Sequence, residues 1–179
     1  MVYNKLTLAF PGKDESLFLQ RYFADSIIQV RLGLIFAASL YAAFGYLDSL
    51  IVPEYAKLFH IIRFYIVIPC AFGVFVLSFT EYFQKVWQYL LSIAVVIGGT
   101  GINIMTMLAP QNYSYYAGIM LVFSAGYFLL RLRFFYATIA GWTILVIFDL
   151  VGIFYAHSSS VILISYNFFF ISCNTLIIK

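Results

Sequence analysis

Past Arg31 the chain is almost continuously apolar, broken into about six stretches that each approach the length of a bilayer crossing. The stretches fall at 32–51, 59–79, 86–108, 115–130, 135–155 and 161–178. Each is near the roughly 20 residues that an α-helix needs to cross a hydrocarbon core of about 30 Å. Runs of this length lack the alternation of a lipid-facing strand, and only helices and closed barrels satisfy the backbone inside lipid. The expected fold is therefore all-α: a polytopic membrane protein with six transmembrane helices. Composition agrees, since 64% of the residues are hydrophobic, only 9% are charged, and the mean hydropathy is +0.99. A soluble domain of that make-up could not hide its apolar surface.

Residues 1–30 form a cytoplasmic tail followed by an amphipathic N-terminal helix. The first fifteen or so residues are mixed in character and include Pro11-Gly12, which reads as irregular chain. They contain no secretory signal, because no basic segment leads into a short apolar core with a small-residue cleavage site. From Ser16 to about Gln29, Phe18, Leu19, Tyr22, Phe23 and Ile27 recur at helical spacing against polar positions. That pattern predicts a helix lying on the membrane surface and running into the first span. Between spans the connections are short, so successive helices are antiparallel neighbours in one compact bundle. No internal repeat is evident, which removes support for an inverted-repeat transporter core.

Basic residues set the orientation. With the N-terminus cytoplasmic, eight of the ten basic residues lie on that side, among them Arg31, Lys85, Arg131 and Arg133, and only Lys57 and Arg63 lie on the other. An even number of spans then returns the C-terminus to the cytoplasm, where an output domain is expected to follow Lys179. The expected location is the bacterial inner (plasma) membrane. The net charge of +3 is accounted for by juxtamembrane basic residues near anionic lipid and needs no nucleic-acid partner.

Ionisable groups within the spans are the places to look for function, since each costs at least about 2.5 kcal/mol at mid-membrane. Asp48 falls near the outer end of the first span and Arg63 about one turn inside the outer end of the second. On adjacent antiparallel helices these two pair readily, and His60, one turn before Arg63, is placed to join them. The cluster reads either as an ion pair fixing helix register or as the polar floor of an outward-facing ligand pocket. Asp149, two-thirds along the fifth span, needs Arg63, another polar partner or water, or else keeps its proton through desolvation, and its depth brings it within reach of Arg63 and Asp48. Asn103, Asn167 and Asn174 read as interhelical hydrogen-bonding groups.

Gly98-Gly99-Thr100-Gly101 marks a close helix contact or a local unwinding, and Ala137 with Gly141 has small-xxx-small spacing. Tyr82, Trp87 and Tyr89 read as one interfacial belt, and Tyr113, Tyr115 and Tyr116 as the other. Cys70 and Cys173 lie in apolar runs without neighbouring ligands and read as packing residues. No Ser-His-Asp set, paired acids in a polar cleft or His-rich metal constellation can be assembled, so catalysis, cofactor and metal are not expected of this chain itself.

The order of features is a lead helix, Tyr46-Leu47-Asp48, Arg63 followed by Pro69, the Tyr113-Ser114-Tyr115-Tyr116-Ala117-Gly118 turn, Arg131-Leu132-Arg133-Phe134, and Asn167 through Asn174. This order resembles the six-helix N-terminal membrane domains of bacterial class III adenylate/guanylate cyclases and of related proteins with diguanylate cyclase or histidine kinase outputs. The resemblance covers about Arg21 to Lys179. It implies a homodimeric receptor and anchor that passes a signal through the sixth helix to a catalytic domain making cAMP or cGMP, with the Mg or Mn ions held by that domain. It also implies a lipophilic or periplasmic small-molecule ligand. A small channel or transporter subunit is the alternative from another class, and an intramembrane enzyme or cofactor carrier is the third.

Overall fold

The computed structural model describes residues 13–109, 118, 121–122, 124–154 and a few positions between 164 and 172. Among the described residues every regular element is helical, and four helices are long and apolar enough to cross a membrane. We name them α1 (Lys13–Ile51), α2 (Ala56–Leu77), α3 (Phe83–Leu108) and α4 (Phe134–Phe154). They correspond to the first, second, third and fifth expected spans. The expected fourth span, 115–130, is described in part, ending in a π-helical turn at Ala125–Leu129. The expected sixth span lies almost wholly outside the described residues.

The lead segment and the first span are one unbroken helix of 39 residues, about 58 Å long at 1.5 Å per residue. No proline interrupts it, so no bend to the membrane plane is imposed. Its apolar positions Tyr22, Phe23 and Ile27 pack on the buried core cluster formed with α3 and α4. Trp87 is a correction to the belt expected from sequence. It is only 4% exposed, because the rings of Tyr22 and Phe23 lie over it at 5.7 and 5.6 Å. Tyr82 and Tyr89 remain exposed as expected. α1 ends where Pro53 follows Val52, since a residue before proline is pushed out of the helical region. Val52 N–H still closes the last turn on the Asp48 carbonyl.

α2 changes winding along its length: α-helical over Ala56–His60, π-helical over Ile61–Val67, and α-helical again over Ile68–Leu77. Pro69 sits in the first turn of the last part. It offers no N–H, and its ring crowds the carbonyl four residues back. The wider turn accommodates this, and Ile68 N–H reaches the Arg63 carbonyl five residues behind it.

α3 and α4 pack closely against one another. A Cβ on Gly99 would meet Ile144 Cδ1 at 2.5 Å, so only glycine permits this approach. One turn on, Asn103 Nδ2 donates to the Ile144 carbonyl at 3.0 Å. The glycine cluster is thus a close contact within a continuous helix, and Ala137 and Gly141 are likewise buried in the bundle.

At the end carrying Arg131 the bundle is tied by polar groups. Arg131 adopts φ 51°, a left-handed conformation disfavoured for residues with a Cβ. Its carbonyl accepts from Tyr22 Oη (2.9 Å) and Gln88 Nε2 (3.3 Å), and its Nε donates to Gln29 Oε1 (2.7 Å). Gln88 Oε1 in turn accepts from Arg133 N–H at 2.8 Å. Arg133 pairs with Glu15 at 2.8 Å. The turn before α4 is therefore held directly by α1 and α3.

Candidate functional site

At the opposite end, α1 and α2 hold a buried ion pair. Arg63 Nε donates to Asp48 Oδ2 at 2.6 Å and Arg63 Nη2 to Oδ1 at 3.2 Å. The side chains are 3% and 2% exposed, so neither charge is carried by water. Asp48 stands one turn before the end of α1, and Arg63 projects from the π-helical part of α2. The guanidinium carbon also lies 5.3 Å from the Tyr41 ring centre and 5.8 Å from that of Phe44, on the electron-rich faces that favour a cation. The helices come close here because of Gly45, where a Cβ would meet the Phe64 ring at 2.8 Å.

His60 does not join the pair. Its Nε2 lies 2.7 Å from the Gly45 carbonyl oxygen and 3.2 Å from Ser49 Oγ. A carbonyl only accepts, so Nε2 carries the hydrogen and stitches α2 to the α1 backbone. Of the partners open to Asp149, a polar side chain and not Arg63 meets it: Asn167 Nδ2 donates to both carboxylate oxygens at 3.3 Å. That bond joins α4 to a residue of the expected sixth span and leaves Arg63 to Asp48. Asn103 bonds α4 as expected of an interhelical group, while its buried Oδ1 has no hydrogen-bond partner. Asn174 lies outside the described residues, as do Cys173 and the Tyr113–Tyr116 belt. No group of three or more metal-ligating side chains occurs among the described residues.

The ion pair forms part of the wall of a cavity of about 310 Å3, near the lower end of the roughly 300–1,000 Å3 typical of small-molecule sites. The other walls are aliphatic and aromatic: Phe36, Ala37, Leu40 and Leu47 from α1, Ile102 from α3, and Leu121, Val122 and Ala125 from the segment before α4. Small residues leave the space, with Ala37 facing it from α1 and Gly118 and Ala125 from across. Tyr41 also lines it, but its hydroxyl is engaged with the Gly98 carbonyl on α3. Tyr41 was missed from sequence. Its only signal was a phenol in the middle of a span, where a hydroxyl needs a partner.

No protein-family model, curated protein or solved structure matches this chain. What the site is for therefore rests on its chemistry. A neutralised charge pair, rigidly held, on one wall of an otherwise apolar chamber is suited to orient a small amphipathic molecule.

Proposed function

We propose that the chain is a membrane receptor and anchor domain whose ligand occupies the chamber beside Asp48 and Arg63. In this reading the bundle has six transmembrane helices, both termini cytoplasmic, and works as a homodimer. Its output is a cytoplasmic nucleotide cyclase making cAMP or cGMP, in keeping with the resemblance of the feature order to such membrane domains. The metal ions of catalysis, Mg or Mn, belong to that output domain.

The observation that carries the receptor reading is the buried pair on the wall of an apolar cavity shared by α1, α2 and α3. α1 supplies much of that wall and continues unbroken to the other end, where Tyr22 and Gln29 hold the turn before α4. A ligand that favours one placement of α1 thereby favours one placement of that turn and of the helices after it. Signalling needs only a difference in affinity between the two arrangements. A channel would require polar residues along a whole crossing path, whereas the described lining of the chamber is apolar away from Tyr41 and the ion pair.

The test is a fusion of this chain, after Lys179, to a class III cyclase catalytic domain in cells without a cyclase of their own. Cyclic AMP output that changes when Ala37→Phe fills the chamber supports the reading. Output unchanged by that substitution, and equally well sustained by an unrelated six-helix anchor, overturns it.

A further inference from the structure

A second hollow lies at the end that carries Arg131, between α1 and the turn joining α2 to α3. It is a cleft of about 830 Å3, with Phe23, Ile27 and Arg31 on the α1 side and Ser78, Glu81 and Lys85 on the other. Phe79 and Tyr82 also line it and are 62% and 67% exposed, which is where aromatic side chains sit at a membrane surface.

One cation of the cleft is held in a fixed place. Arg31 Nε donates to Ser78 Oγ at 3.0 Å and Nη2 to the Ser78 carbonyl at 2.7 Å. The guanidinium carbon stands 4.0 Å from the centre of the Phe79 ring, a face that favours a cation. Ser78 is buried and is itself fixed, its Oγ donating to the Phe75 carbonyl at 2.6 Å. These partners are uncharged, so they orient Arg31 and leave its charge in place.

The sequence holds seven acids. Glu15 and Asp48 are paired with other arginines, Asp149 is on α4 with Asn167, and Glu54 follows the far end of α1. Asp14 and Asp25 precede Arg31 on α1 by about 25 and 9 Å at 1.5 Å per residue. Glu81 alone stands among the described lining residues, against the two cations Arg31 and Lys85. The described lining therefore carries one positive charge in excess.

A phosphodiester supplies one negative charge, and its oxygens suit a guanidinium. A zwitterionic headgroup would add its own ammonium beside Arg31 and Lys85. A free phosphate would leave Phe23 and Ile27 uncovered, whereas the glycerol and first methylenes of a lipid cover them. Basic pockets between membrane helices at the bilayer surface hold anionic headgroups in this way.

We propose that this cleft holds the headgroup of one monoanionic phospholipid, with its phosphate between Arg31 and Lys85 and its acyl chains leaving past Phe79 and Tyr82. The site is separate from the chamber and does not depend on the receptor reading. Bound there, the lipid ties α1 to the turn before α3.

The experiment uses the whole chain, delipidated in detergent and titrated with dioleoyl phosphatidylglycerol, dioleoyl phosphatidylethanolamine or inorganic phosphate. Native mass spectrometry counts retained lipid, and thermal melting reports its effect on the fold. One phosphatidylglycerol per chain is expected to bind about fivefold or more tighter than phosphatidylethanolamine, whose acyl chains are the same. Lys85→Gln is expected to weaken it about fivefold, the worth of one basic residue near an anionic lipid, and Glu81→Gln to tighten it by a similar factor. Both side chains are exposed, so these two variants decide the matter even where Arg31→Gln, which also loses the Ser78 bonds, fails to fold. Equal binding of the two lipids overturns the charge selection. Phosphatidylglycerol affinity unchanged by Lys85→Gln and by Glu81→Gln overturns the location. Inorganic phosphate raising the melting temperature as much as phosphatidylglycerol does identifies a soluble anion and overturns the lipid.

Discussion

Arg63 and Asp48 hold opposite charges against each other inside the bundle. Removing one partner strands the other in a site that is almost fully closed, which costs about 3–5 kcal/mol for a buried pair. Arg63→Ala and Asp48→Ala are each expected to lower unfolding stability in detergent by that order. Replacing both together, as Asp48→Leu with Arg63→Met, restores apolar packing of similar volume and is expected to recover most of the loss. Melting of the two single variants and the double variant checks this; equal losses in all three would mean that the pair's own attraction, and not stranded charge, sets the stability. The pairing itself was legible before any coordinates, because two opposite charges near the same end of adjacent apolar helices have few other choices. Asp149 was not. Several polar groups share its depth, and only the packing of the last segment selects Asn167 over Arg63. His60 was misjudged for a similar reason: the sequence shows a ring within reach, but not that a glycine at Gly45 opens a carbonyl to it.

At the level of elements, the π-helical part of α2 decides which way Arg63 faces. An added residue in one turn rotates everything before it by about 100° relative to everything after it, given 3.6 residues per α-helical turn. Arg63, Val67 and Val74 are all buried, and taking one residue out of the turn between Arg63 and Val67 would swing Arg63 about 100° away from the face that holds Val74. Deleting Ile66, which is 50% exposed, is therefore expected to cost as much as breaking the ion pair, about 3–5 kcal/mol. Ile66→Ala at the same outward position should stay within about 0.5 kcal/mol. Unfolding of the two variants side by side checks the contrast, and a mild deletion phenotype would show that register in α2 is not what aims Arg63. This device could not be read from sequence, where Pro69 announces a disturbance but not its kind. The chamber was hidden for a related reason. It is made by what Ala37, Gly118 and Ala125 lack, and a missing side chain leaves no pattern until the helices carrying it are opposed.

The whole molecule is arranged inside out relative to a soluble bundle. Its charged pair is buried, while large apolar residues such as Leu50, Tyr65, Phe72 and Phe154 stand outward, as suits a surface facing lipid. Orientation must then come from residues that meet the aqueous phase on each side. Arg63 is neutralised and enclosed, so it does not count toward the charge bias. On its end of the described helices that leaves Lys57, against Arg31, Lys85, Arg131 and Arg133 at the other. Removing Arg63 from the tally strengthens the expectation that the Arg131 end is cytoplasmic. In a background with Cys70→Ala and Cys173→Ala, a cysteine at Lys57 should react with a membrane-impermeant maleimide on intact cells. A cysteine at Lys85, also exposed, should react only after lysis. The reverse pattern would put the ion pair and its chamber toward the cytoplasm, so that a ligand would have to come from inside the cell or from the inner leaflet. Labelling thus fixes which side of the membrane the chamber faces, and with it the pool of molecules from which its occupant can be drawn.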